Sequence, residues 1–167
     1  MPSPSRIVLS RSRTSTDLHF PSQSEKLQLV SKKPHPREHW KDEPEEHDYP
    51  AAADYLGLLF PEETAAAMVG GLRRAATIRR KAKDLIRAGR LELLPADDLE
   101  VAKDMKKVEH GERLSPVLLV RGRAGAGRPL IMADRYHRIC ASYHLDENAD
   151  IPCRLVDAPP EERERRE

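Results

Sequence analysis

The chain has 167 residues, of which 38% are hydrophobic, 34% charged and 4% aromatic, with a formal net charge of +1 and two cysteines. That length holds one domain with tails or two small ones. The balance of 29 basic against 28 acidic residues gives no global nucleic-acid signature, so any electrostatic function must be local. No apolar run approaches the roughly 20 residues that span a bilayer, no apolar core of a secretory signal is present, and Cys140 and Cys153 are too few for a disulfide scaffold. A reduced, cytoplasmic protein is the expectation.

In chain order, residues 1–48 are rich in Ser, Pro, Lys, Glu and His and keep no helical or strand period, which predicts a disordered polar tail. His35, His39 and His47 fall in it, and intervening prolines favour solvated histidines over a metal site. Ala51 to Phe60 reads as a short helix. Pro61-Glu62-Glu63-Thr64 opens a second, with proline and acids in the first turn, and Gly70-Gly71 is expected to weaken or break it. Thr77 is placed as the cap of a third helix running to Ala88, with Gly89 as its stop. These form a helical extension over residues 49–90.

Beyond it, Leu91-Glu92-Leu93-Leu94 reads as a brief strand. Asp97 and Glu100 have capping-box spacing for a helix through Val108, stopped by Gly111. Pro116 to Val120 is a buried-type strand, Gly122 to Gly127 a glycine-punctuated turn, and Pro129 to Ala133 a returning strand. A helix from Arg135 to Leu145 and a strand from Ile151 to Val156 close the core, and residues 158–167 form a charged tail. The fold class is thus α/β, with a small mixed sheet over 91–157 behind a helical extension.

Two groups of side chains carry chemistry. Arg79, Lys83, Arg87 and Arg90 recur at spacings of four, four and three on the predicted third helix. They form either a stripe tracking a nucleic-acid backbone or a solvated face balanced by acids, the latter favoured. The second group is Asp134-Arg135-Tyr136-His137-Arg138, where a strand feeds directly into a helix. Unpaired backbone N–H groups at that helix start, with Arg138 and His137 beside them, would hold an anion, phosphate above all. Asp134 is expected to cap the helix, with a weaker alternative of recruiting Mg²⁺ beside a bound phosphate. The competing reading pairs Arg138 with Asp134 and leaves His137 merely exposed. Tyr136, Ile139, Cys140 and Tyr143 share a face that reads as core, with Cys140 a small apolar residue rather than a nucleophile. Gly122 to Gly127 lacks the Lys-Ser or Lys-Thr of a phosphate loop and reads as a hairpin connection.

The segments Leu114-Ser115-Pro116-Val117-Leu118-Leu119-Val120, Leu130-Ile131-Met132-Ala133-Asp134-Arg135-Tyr136-His137-Arg138-Ile139-Cys140-Ala141 and Ile151-Pro152-Cys153-Arg154-Leu155-Val156 together resemble the ParB/sulfiredoxin superfamily. Its pattern is a Pro-led strand, a second strand, a Gly-x-His/Arg-Arg turn into a helix, and a closing strand. The resemblance covers roughly residues 91–156. It implies a compact domain binding a nucleotide or other phosphate-bearing ligand, with His137 and Arg138 as the basic pair, Ala141 as the motif's alanine, and a nucleoside triphosphate with Mg²⁺ as the candidate cofactor.

Three departures narrow that implication. Arg135 stands where the family has glycine. Tyr136 stands where the sulfinic-acid reductases carry cysteine, which argues against that activity. The DNA-partition clamps carry Glu-Arg-Arg and a following helix-turn-helix domain, neither of which is seen here. Asp134 to Arg138 is closest to the Asp-Gly-His-His-Arg of the small-molecule kinases, though no catalytic base is identifiable. The expectation is a nucleotide- or phosphate-binding protein. The alternatives are a non-catalytic interaction or DNA-binding protein using residues 77–90, and a small-molecule kinase.

Overall fold

The computed structural model describes residues 39–160. The expected disorder of residues 1–38, the histidine His35 and the charged tail 161–167 lie outside the described residues. In order, the elements are β1 (His39–Trp40), α1 (Asp48–Gly57), α2 (Glu62–Arg74), β2 (Ile78–Lys81), α3 (Ala82–Gly89), α4 (Leu99–Glu109), β3 (Arg113–Leu114), β4 (Val117–Arg121), a 3₁₀ turn (Ala124–Ala126), β5 (Ile131–Asp134), α5 (Tyr136–Leu145) and β6 (Asp150–Asp157). The fold is mixed α/β, with a four-stranded sheet in the order β2-β6-β4-β5 and a separate two-stranded pair, β1-β3. Among the described residues no helix is long and apolar enough to cross a membrane.

Strand β4 explains the layering. Val117 to Val120 is an unbroken apolar run, which a strand carries only when both of its faces are covered. Leu118 and Val120 join Ala133 of β5 under α1 and α2, packed with Ala52, Leu56, Met68 and Leu72. Val117 and Leu119 face the other way, against Leu85 of α3 and Ile139 of α5. Helix α4 lies behind α5 through Val101, Cys140 and Ala141. The sheet is mixed: β6 runs parallel to β4 and antiparallel to β2, and β4 is antiparallel to β5. Both cysteines are buried and free.

The third helix departs from expectation. Residues 78–81 form β2, an edge strand registered Ile78↔Cys153 through Lys81↔Asp150, and the helix starts only at Ala82. Thr77 does not cap it. The amides of Ala82 and Lys83 instead donate to the carbonyls of Ala149 and Glu147, which satisfies the orphan donors from across the fold. A free strand edge on β6 outweighs the helical period of a short basic segment. Since β2 belongs to the main sheet, residues 49–90 are not a purely helical extension.

Other boundaries shift for local reasons. Helix α1 begins at Asp48 rather than Ala51 and ends at Gly57. Gly70 and Gly71 do not break α2, which runs to Arg74; a Cβ at Gly71 would come within 3.2 Å of Val156, so the small residue serves helix-to-sheet packing. Helix α3 includes Gly89, whose missing Cβ leaves room for Met132, and the left-handed turn falls on Arg90 at φ 52°. The cap of α4 is Asp98, not Asp97; it accepts from the amides of Glu100 and Val101. Residues 91–94 are not a strand. They lie over α5, held by Tyr136 Oη donating to the Glu92 carbonyl and by the His144 ring on the Leu94 carbonyl. The hairpin reading of Gly122 to Gly127 holds, with Arg123 and Arg128 exchanging backbone hydrogen bonds.

Residues 39–48, expected in the tail, are structured. Strand β1 pairs in parallel with β3, Trp40 packs against two of the apolar clusters, and Glu43 pairs with Arg154.

Candidate functional site

Strand β5 is the outer strand of the sheet. Along it runs an open groove of about 1360 Å³, lined on one side by Ala51, Tyr55, Leu59 and Phe60. Gly89, Leu91 and Tyr136 line the opposite wall, residues 128–134 the floor, and Arg135 and His137 the end where β5 turns into α5. The walls are chiefly apolar, with polar groups at that turn and also at Glu63, Thr64 and Arg128.

The five predicted site residues all sit at this turn, but they do different things. Arg135 is the N-cap residue of α5, in the left-handed region at φ 68°, which is where glycine is ordinarily favoured. Its side chain turns onto Asp48: Nε donates to Oδ1 at 3.0 Å and Nη2 donates to the same oxygen. Nη2 also lies 2.6 Å from His47 Nε2. Asp48 is fully buried. Its second oxygen accepts from Ser115 Oγ at 2.8 Å and from the Glu45 amide at 2.9 Å. Burial by itself would raise the Asp48 carboxyl, but the bonds from Arg135 and Ser115 prevail and hold it below the ordinary carboxylate value.

Arg138, expected to hold the ligand, is instead a core residue at 3% exposure. Its Nη1 donates to the carbonyl and the hydroxyl of Ser115, at 2.7 and 2.6 Å. Its Nε makes no hydrogen bond and lies 3.9 Å from Asp104 Oδ2. The cause is topological: the side chain leaves the first turn of α5 towards the residues just before β4, where Ser115 bonds it and Asp104 lies near. Nor does Arg138 pair with Asp134.

Asp134 does not cap α5. Its Oδ2 is buried, lacks a hydrogen bond and sits 3.0 Å from Arg135 Nε, and burial pushes its carboxyl above the ordinary value. A guanidinium occupies the place beside it that a cation would need, so Asp134 does not fit the Mg²⁺ role. The cluster of Glu45, His47 and Asp48 brings three metal-type ligand atoms together, but Nη2 of Arg135 sits among them and supplies the positive charge.

His137 is half-buried and borders the groove, its ring tilted against Tyr136 at 5.9 Å between centroids. Tyr136 belongs partly to the core as expected; burial, with a hydrogen bond to Cys140, pushes its phenol up to about 12.

The basic stripe is dispersed. Arg79 lies on β2 and donates to the Asp150 carbonyl, while Lys83 reaches Asn148, Arg87 pairs with Asp84, and Arg90 donates to the Gly127 carbonyl. All four are exposed, but no single helix face presents them.

Sequence reading missed Asp48 and Ser115, the two groups that organise the turn. An acid beside Tyr49-Pro50 signals a helix start, but nothing local marks it as buried. A scan of family models and searches of curated proteins and of solved structures found no match to this chain.

Proposed function

We propose that this protein binds a small phosphate-bearing ligand, a nucleotide in the first instance, in the groove along β5. The single observation behind this reading is the coincidence of a large, mostly apolar groove with the start of α5, where the Tyr136 and His137 amides have no intrahelical acceptor. His137 is the side chain placed to donate to a bound oxyanion. The apolar walls around Tyr55, Leu59, Phe60 and Met132 suit a ligand body larger than phosphate alone. The element order and the turn at residues 134–138 support assigning the domain to the ParB/sulfiredoxin type, in a cytoplasmic setting.

The burial of Arg138 changes the experiment. Arg138→Ala removes a core cation and leaves Ser115 short of a donor, so it tests stability. His137→Ala tests binding. In titration calorimetry with ATP, CTP and inorganic phosphate, each with and without Mg²⁺, at least one ligand is expected to bind. His137→Ala should weaken that binding about tenfold, the scale of one charge-assisted hydrogen bond. No heat from any of the three with wild-type protein overturns the reading.

A further inference from the structure

We propose that Asp48 is an internal competitor for Arg135 and thereby sets the affinity of the groove for anions. This inference rests on the reading of the groove as an anion site.

Arg135 borders the groove at the strand-to-helix turn, yet its guanidinium is spent on the buried carboxylate of Asp48, with Asp134 and Glu45 nearby at 3.0 and 3.9 Å. Asp48 thus occupies the position on Arg135 that a ligand oxyanion would take. Ala51, one turn along α1 from Asp48, lines the same groove as Arg135, so the buried Asp48 carboxylate lies just behind the groove's end. A side-chain rotation of Arg135 exchanges one anion for the other and releases its hold on Asp48.

The backbone adds to the case. A non-glycine residue held at φ 68° persists only where its surroundings over-determine it. Here the bonds from Arg135 to Asp48, together with His47 Nε2 at 2.6 Å, do so. The arrangement is reciprocal by linkage: a ligand that draws Arg135 away weakens the hold on residues 45–48 by the same factor that Asp48 weakens the ligand. Glu45 and Asp48 are tied to each other by the Glu45 amide on Asp48 and the Asp48 amide on the Glu45 carbonyl, so they loosen as one unit.

The test uses inorganic pyrophosphate and CTP as probes, with full-length protein. Asp48→Asn keeps the shape and an acceptor for Ser115 but removes the charge. It is expected to tighten probe binding about tenfold, within the usual range of coupling between linked events. Adding Arg135→Gly to Asp48→Asn should abolish that gain. Independently of any variant, saturating probe should speed cleavage of the wild-type chain by a glutamate-specific protease at Glu45 and Glu46, in the segment that the contact holds. If the wild type binds a probe, but Asp48→Asn binds no tighter and cleavage does not rise, the competition is refuted while the groove reading stands. If neither the wild type nor Asp48→Asn binds a probe, the groove reading fails and takes this inference with it. Should Asp48→Asn not fold, the cleavage rate of the wild type decides alone.

Discussion

Arg135 and Asp48 meet across 87 residues of sequence, and each has a chemical reason to be there. A buried carboxylate is tolerable only when its charge and lone pairs are matched. Arg135, Ser115 and the Glu45 amide do that for Asp48, and Ser115 passes the connection on to Arg138. Around this point Arg135 and Arg138 face the carboxylates of Asp48, Asp134, Glu45 and Asp104. The two arginines that look cationic in the sequence are therefore already paired in the fold, and an anion that recruits Arg135 must displace Asp48. The lowered pKa of Asp48 gives a pH signature. A carboxyl held lower in the folded chain than in the unfolded one stabilises above the unfolded value, near 3.8, and that contribution fades as pH falls through the folded value. Asp134 acts in the opposite sense: its raised pKa favours proton uptake by the folded state, so its penalty is relieved on acidification. In urea unfolding measured from pH 6 to pH 2, Asp48→Asn is expected to be less stable than wild type at pH 6, with the gap closing towards pH 2. A constant gap across that range would show that the charge contributes nothing.

At the scale of elements, each helix start is satisfied differently, and the differences decide which substitutions matter. Helix α4 is capped by its own Asp98, a local device, so Asp98→Ala should destabilise by about 1 kcal/mol in chemical denaturation. Helix α3 is capped by loop carbonyls before β6, so no single side chain controls its start. Helix α5 starts on a left-handed arginine without a side-chain cap, which leaves its first amides without a side-chain acceptor. The C-terminus of α2 is closed from the sheet, where Arg154 on β6 donates to the Leu72 and Arg73 carbonyls and to Tyr49 Oη. This is why a charged residue occupies a buried position in the middle of β6.

At the scale of the whole molecule, the segment before α1 is structural. Trp40 and Glu43 fasten it to the clusters beside α5 and to Arg154 on β6, and Asp48, the first residue of α1, joins its end to the turn at Arg135. A chain begun at residue 49 loses all three. Losing Asp48 leaves the partly exposed Arg135 without its main partner, at about 2 kcal/mol, between the exposed and fully buried cases. The midpoint of thermal unfolding should therefore fall by about 10 °C relative to the full chain, followed by circular dichroism. An unchanged midpoint would show these contacts to be decorative.

What the sequence determined by itself was whatever depends on near neighbours: the two-faced burial of Val117 to Val120, the hairpin after it, the apolar side of α5, and the stop at Gly111, which takes φ 74°. The tertiary structure alone decided what depends on partners far along the chain. Residues 78–81 became a strand because β6 offered them an edge, which dispersed the basic stripe. Arg138 became core because Ser115 waits beneath α5, and the Arg135 guanidinium is engaged at the groove's end because a carboxylate 87 residues earlier is buried beside it. The period of side chains along a segment reports which face will be covered. It carries no information about which distant charge will be buried with it, and at this site that pairing sets the chemistry.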